Sequence, residues 1–204
     1  MNVCLLFEQS GTFKKCFQKL GHIATDFDIS NKYNETDVQM DLFDSIEHNT
    51  IDFVNNYDLV IAFFPCTWFS KQNDLIYNRK LPCFRKWNKN KIDEYLHQRM
   101  QDYERAKKCL LRLIKICKKP LIIENPASRR IIEILGEPDY YVKDRTKHGD
   151  ILRKPTYFYT FDVSISDLEI IPTIRGKDVN HISQIKRSEI SETFAMNFVK
   201  HIIL

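Results

Sequence analysis

Residues 59–70 have the sequence LVIAFFPCTWFS, in which an apolar run leads into a proline and a cysteine. An apolar run of this length predicts a strand that is buried on both faces of a parallel sheet. In open α/β sheets, ligands bind at the loops that leave the carboxyl ends of the strands. Cys66 directly follows the predicted strand, so it is a candidate reactive group.

The same segment has a simpler interpretation. Free cysteine is among the most frequently buried residue types, and a cysteine beside aromatic side chains commonly packs in a core. The choice between a nucleophile and a packing residue at Cys66 therefore depends on the rest of the chain.

Length and composition limit the class of protein. The 204 residues are enough for one domain that buries a core without disulfides or a metal. The six cysteines are scattered, with no CxxC pair and no cluster at zinc-ligand spacing. The sequence has no signal-peptide pattern, and no apolar stretch approaches the roughly 20 residues of a membrane span. We expect one domain over residues 1–204, in the cytoplasm, with neither a metal nor a membrane partner.

Basic charge is concentrated rather than large. The net charge is only +4, but Lys and Arg cluster with aromatic residues between positions 79 and 119. Basic groups neutralise phosphates and aromatic rings stack on unpaired bases. Arg85, Lys86 and Trp87, within a predicted basic loop over residues 71–91, are therefore candidate nucleic-acid contacts. The alternative is a solvated helix face, which the sequence favours from Arg99 onward.

Strand and helix patterns alternate along most of the chain. The predicted strands cover residues 2–7, 22–28, 37–41, 59–64 and 120–125, and the predicted helices cover residues 11–20, 42–54, 92–117 and 128–135. This alternation predicts an α/β fold with a mainly parallel, twisted sheet and helices on both faces. Short strands at 139–142 and 155–161 predict an antiparallel hairpin at one edge, and a last helix over about 191–203 should dock on the domain.

The end of the first strand predicts a ligand-binding turn. Phe7 is followed after two residues by Ser10, Gly11 and Thr12. Small residues here let the backbone approach a ligand, and they begin a helix whose free N–H groups face it.

Two aspartates end the next predicted strands. Asp28 follows the turn after the first strand at about the interval where an acid accepts hydrogen bonds from a ribose. Asp41 is placed where it could contact an adenine. Either one alone is more commonly a strand-end cap. Three suitable strand ends at one rim together predict a bound nucleoside cofactor.

Glu124, Asn125 and Pro126 leave the fifth predicted strand at the rim that holds Cys66. A carboxylic acid after an apolar run is partly removed from water, which suits it to proton donation. Asn125 and Pro126 would fix the turn. The alternative is a buried glutamate that caps the helix predicted to begin at Ser128.

Together these residues resemble the cytosine C5 methyltransferase family. The resemblance covers about residues 3–160 and consists, in the family's order, of residues 7–12, Asp28, Asp41, Pro65-Cys66 with Phe69-Ser70, Glu124-Asn125-Pro126, and Gly149 followed by Lys154-Pro155-Thr156. The chain is most similar to short phage and bacterial members with an E-x-S-G opening, a P-C-T block and an E-N-P block. These members lack a separate target-recognition domain.

The resemblance implies a Rossmann-like S-adenosylmethionine-dependent methyltransferase fold and methyl transfer to C5 of cytosine in DNA. Cys66 would add to C6 as a thiolate while Glu124 protonates N3, so that the C5 carbanion forms beside the methyl group. The implied cofactor contacts are Phe7, Ser10, Gly11, Thr12, Asp28, Asp41 and Pro65. The implied contacts with duplex or single-stranded DNA are Ser70, Arg85, Lys86, Trp87, Asn125 and Lys154. A phage origin, a link to restriction-modification and a host-cytoplasmic location are implied by the resemblance alone.

The chain departs from the family pattern in three places. Glu8 and Gln9 replace the usual second glycine, and no clear arginine pair lies on the late strand, where Arg145, Arg153 and Lys154 are the available substitutes. Residues 159–191 are too few for a recognition domain. The specificity for a DNA sequence is then weak, or it is supplied by the segment after Ser70, or it is supplied by a partner protein.

Two other functions stay open. One is C5 methylation of RNA or of a free cytidine nucleotide, since the recognition domain is missing. The other is a catalytically silent nucleic-acid-binding protein, although such a protein needs neither the P-C nor the E-N-P block.

Overall fold

A mostly parallel sheet organises the protein in a computed structural model that describes residues 1–70, 72–172, 177–178 and 190–204. The first eight strands of the chain are β1 (Asn2–Leu6), β2 (Ile23–Asp28), β3 (Val38–Gln39), β4 (Leu59–Phe63), β5 (Leu121–Pro126), β6 (Tyr140–Val142), β7 (Leu152–Arg153) and β8 (Thr156–Phe161). The short strand β7 lies outside the main sheet. In the described part of the chain, the other seven form one sheet in the order β3-β2-β1-β4-β5-β8-β6.

Strand direction and order confirm the α/β, Rossmann-like fold. Strands β1 to β5 pair in parallel, whereas β8 is antiparallel to both β5 and β6. The antiparallel hairpin predicted at one edge is therefore present. The strand order reverses between β1 and β4, and in doubly wound sheets the ligand crevice opens outside the carboxyl ends of the strands at such a point.

The helices bracket the sheet. They are α1 (Thr12–Lys19), α2 (Leu42–Glu47), α3 (Gln72–Tyr77), α4 (Lys89–Ile116), α5 (Arg129–Leu135) and α6 (Glu192–Lys200). Alternate side chains of one strand face opposite layers: Val60 packs with the α2, α4 and α5 side, and Ile61 packs with the α1 and α6 side. Burial on both faces is why the strand sequences are continuously apolar.

Three predicted elements have different limits. The helix expected over residues 42–54 ends at Glu47, because Asn49 adopts a left-handed conformation with φ 57°, and a 3₁₀ helix follows at Asp52–Asn56. The last helix ends at Lys200, after which Ile202–Ile203 pairs with a strand at Ser164–Ile165. The expected basic loop contains α3 and a 3₁₀ helix at Pro82–Lys86.

The C-terminal helix docks on α1, where the Phe13 and Phe198 rings lie 6.0 Å apart, centroid to centroid. Residues 173–176 and 179–189, in the segment expected to be too short for a recognition domain, lie outside the described residues, as does Lys71. Within the described ranges, no helix has the length and hydropathy needed to cross a bilayer.

Candidate active site

Strand register brings the turns that follow β1, β2, β4 and β5, with the predicted site residues they carry, to one rim of the sheet. Leu6 at the end of β1 lies opposite Phe27 of β2 and Ala62 of β4, and Phe63 lies opposite Glu124 of β5. The turns that follow these four strand ends therefore lie side by side. The arrangement follows from the parallel strands, so the sequence was sufficient to predict it.

Cys66 is partly exposed in the turn after β4. Burial raises the pKa of its thiol, the positive charge of Lys154 lowers it, and the Glu124 carboxylate raises it. The Cys66 thiol is thus close enough to feel the charges of Glu124, the predicted acid, and of Lys154, a predicted substrate contact. The raised pKa leaves Cys66 mainly in the thiol form near neutral pH.

Glu124 is buried, with 6% of its surface exposed, and its Oε1 atom has no hydrogen-bond partner among the described residues. A buried polar atom without a partner costs about 1–3 kcal/mol, so a ligand that donates a hydrogen bond here is favoured. Glu124 is not the cap of α5. Ser128 caps that helix itself, accepting a hydrogen bond from the Ile131 backbone N–H.

Asn125 links the turn after β5 to the turn after β4 by a hydrogen bond. Its side chain is fully buried, and Nδ2 donates a 2.9 Å hydrogen bond to the Phe64 carbonyl, two residues before Cys66. Its Oδ1 has no partner among the described residues. The predicted substrate contact of Asn125 stays a prediction, whereas its link between the β4 and β5 turns is part of the free protein.

Two residues that the sequence did not single out hold the turn after Cys66. Asn73 is buried and donates to the Thr67 carbonyl at 2.8 Å, while its Oδ1 accepts from Arg99 Nη2 at 2.7 Å. Arg99 Nη2 also donates to the Thr67 carbonyl at 3.0 Å. Within the turn, Ser70 donates its backbone N–H to the Cys66 carbonyl at 3.0 Å.

The turn after β1 is shaped by two left-handed residues, Phe7 with φ 61° and Gly11 with φ 66°. The Phe7 ring packs against Phe43 and Phe64, which stabilises its unfavourable backbone conformation. A Cβ atom on Gly11 would lie 3.0 Å from the Glu35 Cβ. Glycine is therefore required by the backbone and by the segment that follows β2, independently of any ligand.

Glu8 changes the expected chemistry of this turn. Its side chain is buried, and Oε1 accepts hydrogen bonds from the Thr12 backbone N–H at 2.9 Å and from Ser10 Oγ at 2.8 Å. The N–H group of Thr12 that the sequence left free for a ligand is thus capped from within the chain. Burial raises the pKa of Glu8 to about 7. An acid four residues before the first helical residue was the available sequence signal.

Asp28 and Asp41 differ in how they are held. Asp28 is buried, its Oδ1 accepts from the Ser30 N–H at 2.7 Å and from Gln9 Nε2 at 3.3 Å, and burial raises its pKa. It therefore contacts the turn after β1 directly. Asp41 is the N-cap of α2, accepting from the Asp44 N–H at 3.1 Å, which is the simpler role that the sequence left open.

A buried ion-pair network fixes the segment after β2 across α1. Lys14 Nζ lies 3.1 Å from Asp26 Oδ2 and 2.9 Å from Asp37 Oδ1, and it also donates to the Glu35 carbonyl. The network holds Glu35 over Gly11. Access to the turn after β1 therefore depends on this segment.

The candidate nucleic-acid contacts are only partly available. Arg85 and Lys86 are exposed on the 3₁₀ helix before α4. The Trp87 ring packs against Phe84 and Tyr95 at centroid distances of 5.4 and 5.5 Å, so much of its surface is occupied within the protein. Lys91 Nζ also lies over the ring, 4.7 Å from its centroid, so stacking of Trp87 on a base would require Lys91 to move.

Two of the late basic residues are engaged elsewhere. Arg145 is fully buried and donates to Asp150 from both Nε and Nη2. Arg153 lies 3.5 Å from Asp144. Of the three late basic residues, Lys154 is the one that acts on the thiol of Cys66.

The concavity in the protein surface and the reactive side chains lie in different places. A concavity of about 600 Å³ is lined by residues such as Phe27, Phe53 and Tyr57, and its lining has no carboxylate, thiol, imidazole or amine. It does not include Cys66 or Glu124. We place the site at the rim, because the groups that can react are there.

Alkylation of Cys66 offers a direct check of its electrostatic surroundings. At pH 8 iodoacetamide should modify Cys66 more slowly than the exposed Cys83, because burial raises the pKa of the Cys66 thiol. Lys154→Met should slow the reaction of Cys66 further and leave Cys83 unchanged. Peptide mass spectrometry from pH 6 to 10 measures both rates. Equal slowing of the two cysteines would contradict the placement of Lys154 beside Cys66.

The site has to be interpreted from its own chemistry. No protein-family model matches the chain, and no curated protein matches it. The features available are a partly exposed thiol, a buried carboxyl group and an ammonium group at the carboxyl ends of a Rossmann-like sheet.

Proposed function

We propose that the protein is an S-adenosylmethionine-dependent DNA cytosine C5 methyltransferase in which Cys66 forms the covalent adduct with the base. The observation that carries this proposal is the grouping of Cys66, Glu124 and Lys154 at the rim. Addition of a nucleophile to a pyrimidine needs a thiolate, a group that stabilises it and an acid that protonates the ring.

The turn after β1 fits S-adenosylmethionine in charge and position. Asp28 is a buried carboxylate at the end of β2, where ribose hydroxyls are bound in such folds. Glu8 Oε2 has no hydrogen-bond partner among the described residues, and the ionised form of Glu8 would favour a cationic group over an anion in this turn. Of the predicted cofactor contacts, Phe7, Asp28 and Pro65 would hold the cofactor as the turns stand. Ser10 and Thr12 are bonded to Glu8, Glu35 lies over Gly11 and Asp41 caps α2, so these four would have to exchange their present partners on binding. When bound, the cofactor supplies the methyl group.

Cys66 and Glu124 carry the first step. The Cys66 thiolate forms a bond to C6, the C5–C6 electron pair moves toward N3, and N3 takes the proton of the Glu124 carboxylic acid. Lys154 stabilises the thiolate, against the burial that raises the pKa of the thiol. Asn125 fixes the turn before Cys66 through the Phe64 carbonyl, so the nucleophile and the acid keep their relative positions.

The second step releases the product. After C5 has gained the methyl group, a base removes the C5 proton, the C5–C6 double bond reforms, and the Cys66–C6 bond breaks. Glu124 then recovers its proton from N3. A cytosine in duplex DNA must first be flipped out of the helix to reach Cys66.

Covalent trapping tests the proposal. A fluorine at C5 cannot leave as a proton does, so DNA with 5-fluorocytosine should stay attached to the wild-type protein when S-adenosylmethionine is present. Cys66→Ala should form no adduct. Cys83→Ala is the matched control, since it removes an exposed cysteine outside the rim and should trap as well as wild type.

Parallel reactions identify the substrate. Labelled methyl transfer is measured with duplex DNA, single-stranded DNA, RNA and dCMP. Transfer to RNA or dCMP alone would replace DNA as the substrate. Absence of both transfer and adduct on all four would overturn the proposed enzyme and favour a silent nucleic-acid-binding protein.

A further inference from the structure

In the described part of the chain, Arg99 is a cation without a carboxylate partner, and it lies against the turn that carries Cys66. Among the ion pairs of the described residues, Arg79 pairs with Asp93 and Arg105 with Glu47, whereas none includes Arg99. Its described hydrogen bonds go from Nη2 to two neutral acceptors, the Thr67 carbonyl and Asn73 Oδ1. No acid among the described residues therefore pairs with the positive charge of Arg99.

The guanidinium group is also held in place before any ligand arrives. The two bonds from Nη2, at 3.0 and 2.7 Å, orient the planar group, and the backbone carbonyl of Arg99 accepts a hydrogen bond from the Tyr77 hydroxyl at 3.2 Å. Nε is buried and has no partner among the described residues, so it is out of reach of a ligand, whereas Nη1 makes neither of these hydrogen bonds. A fixed arginine whose Nη1 donors are unused suits a phosphate, which accepts hydrogen bonds from planar guanidinium groups.

We propose that Arg99 binds a backbone phosphate of the nucleic acid beside the target cytosine. The proposal rests on the proposed function, because it gives that site its contact with the polymer. The bond from Arg99 to the Thr67 carbonyl couples the phosphate contact to the turn one residue after Cys66. The exposed Arg85 and Lys86 lie before the same helix, so they would continue the phosphate track.

Salt dependence separates a phosphate contact from a purely structural role. One phosphate contact contributes about 0.9 to the slope of log K against log salt on duplex DNA and about 0.7 on a single strand. Arg99→Gln should lower the slope by about this amount and weaken binding about tenfold at low salt. Arg99→Lys keeps the charge and should keep the slope. Fluorescence anisotropy with labelled oligonucleotides measures both quantities.

Arg105→Gln is the matched control, because it removes an arginine of the same helix whose charge is already paired with Glu47. It should leave the salt slope unchanged. An unchanged slope and affinity in Arg99→Gln, beside a wild type that binds and methylates DNA, would overturn this inference alone. A wild type that binds no nucleic acid would overturn the proposed function as well.

Binding of dCMP distinguishes a polymer phosphate from the phosphate of a free nucleotide. Arg99→Gln should weaken binding of the oligonucleotide. Because dCMP carries the phosphate on the 5′ side of its cytosine, its affinity should fall too if Arg99 binds that phosphate and should stay at the wild-type value if Arg99 binds the next phosphate along the strand. A loss confined to dCMP would overturn the assignment to a polymer.

Discussion

Replacing Glu124 with glutamine should lower the rate of methyl transfer by about 10²- to 10⁴-fold, which is the usual contribution of a general acid. Glutamine has nearly the same shape and still accepts a hydrogen bond, but it has no acidic proton to give to N3. The buried position of Glu124, with 6% exposure, means that no water replaces it easily. Single-turnover kinetics with saturating DNA and S-adenosylmethionine measure the chemical step itself.

The substitution should not unfold the protein, because it replaces a carboxyl group whose Oε1 has no partner among the described residues. Thermal unfolding followed by circular dichroism checks this. Glu137→Gln, at an exposed position shortly after α5, is the matched control and should keep the wild-type rate. A Glu124→Gln rate within tenfold of wild type would exclude the proposed acid, even if Cys66 still formed an adduct.

The sheet could be predicted from the sequence because burial on both faces leaves a clear signal. Val60 and Ile61 are adjacent, yet they pack into opposite layers, so the strand has no polar alternation. Once parallel strands are expected, their carboxyl ends must share a rim. Cys66 and Glu124 were brought together in this way, without any knowledge of side-chain contacts.

Contacts that depend on tertiary packing could not be predicted. Asn73 and Arg99 are 26 residues apart, and their meeting at Thr67 requires the packing of α4 against the turn. Trp87, an aromatic residue among basic ones, was predicted to stack on a nucleic-acid base, but Phe84 and Tyr95 cover part of its ring. Sequence patterns define which face of an element is apolar, and they do not define which side chains meet across two elements.

The turn after β1 differs from a glycine-rich ligand-binding turn because it contains Glu8. A glycine-rich turn leaves helix N–H groups free for a ligand. Here Glu8 satisfies one of them, at Thr12, and leaves a buried negative group when it is ionised. Because burial raises the pKa of Glu8 to about 7, the charge of this turn changes with pH near neutrality.

Glu8→Gln should stabilise the protein at pH 8 by about 3 kcal/mol relative to wild type and have little effect at pH 4.5. The pKa of Glu8 is raised from its ordinary value of 4.5 to about 7 by burial, with the Asp26 carboxylate adding to the effect and Lys14 opposing it. Because the folded state holds the proton more tightly than the unfolded state, the stability that the proton contributes is complete below pH 4.5. It is lost as the pH rises to about 7, and the difference in pKa corresponds to about 3 kcal/mol.

Glutamine keeps the oxygen that accepts from the Thr12 N–H and does not ionise, so its contribution should not change with pH. Urea unfolding of both proteins at pH 5, 6, 7 and 8 gives the difference in free energy of unfolding, which should rise through this range and level off near pH 8. Glu104→Gln on the exposed side of α4 controls for the loss of one charge and should give a small, flat difference. If Glu8→Gln instead lost stability as the pH rose, the ionised carboxylate would be the form that the fold stabilises, and Glu8 would act as a charged cap of α1.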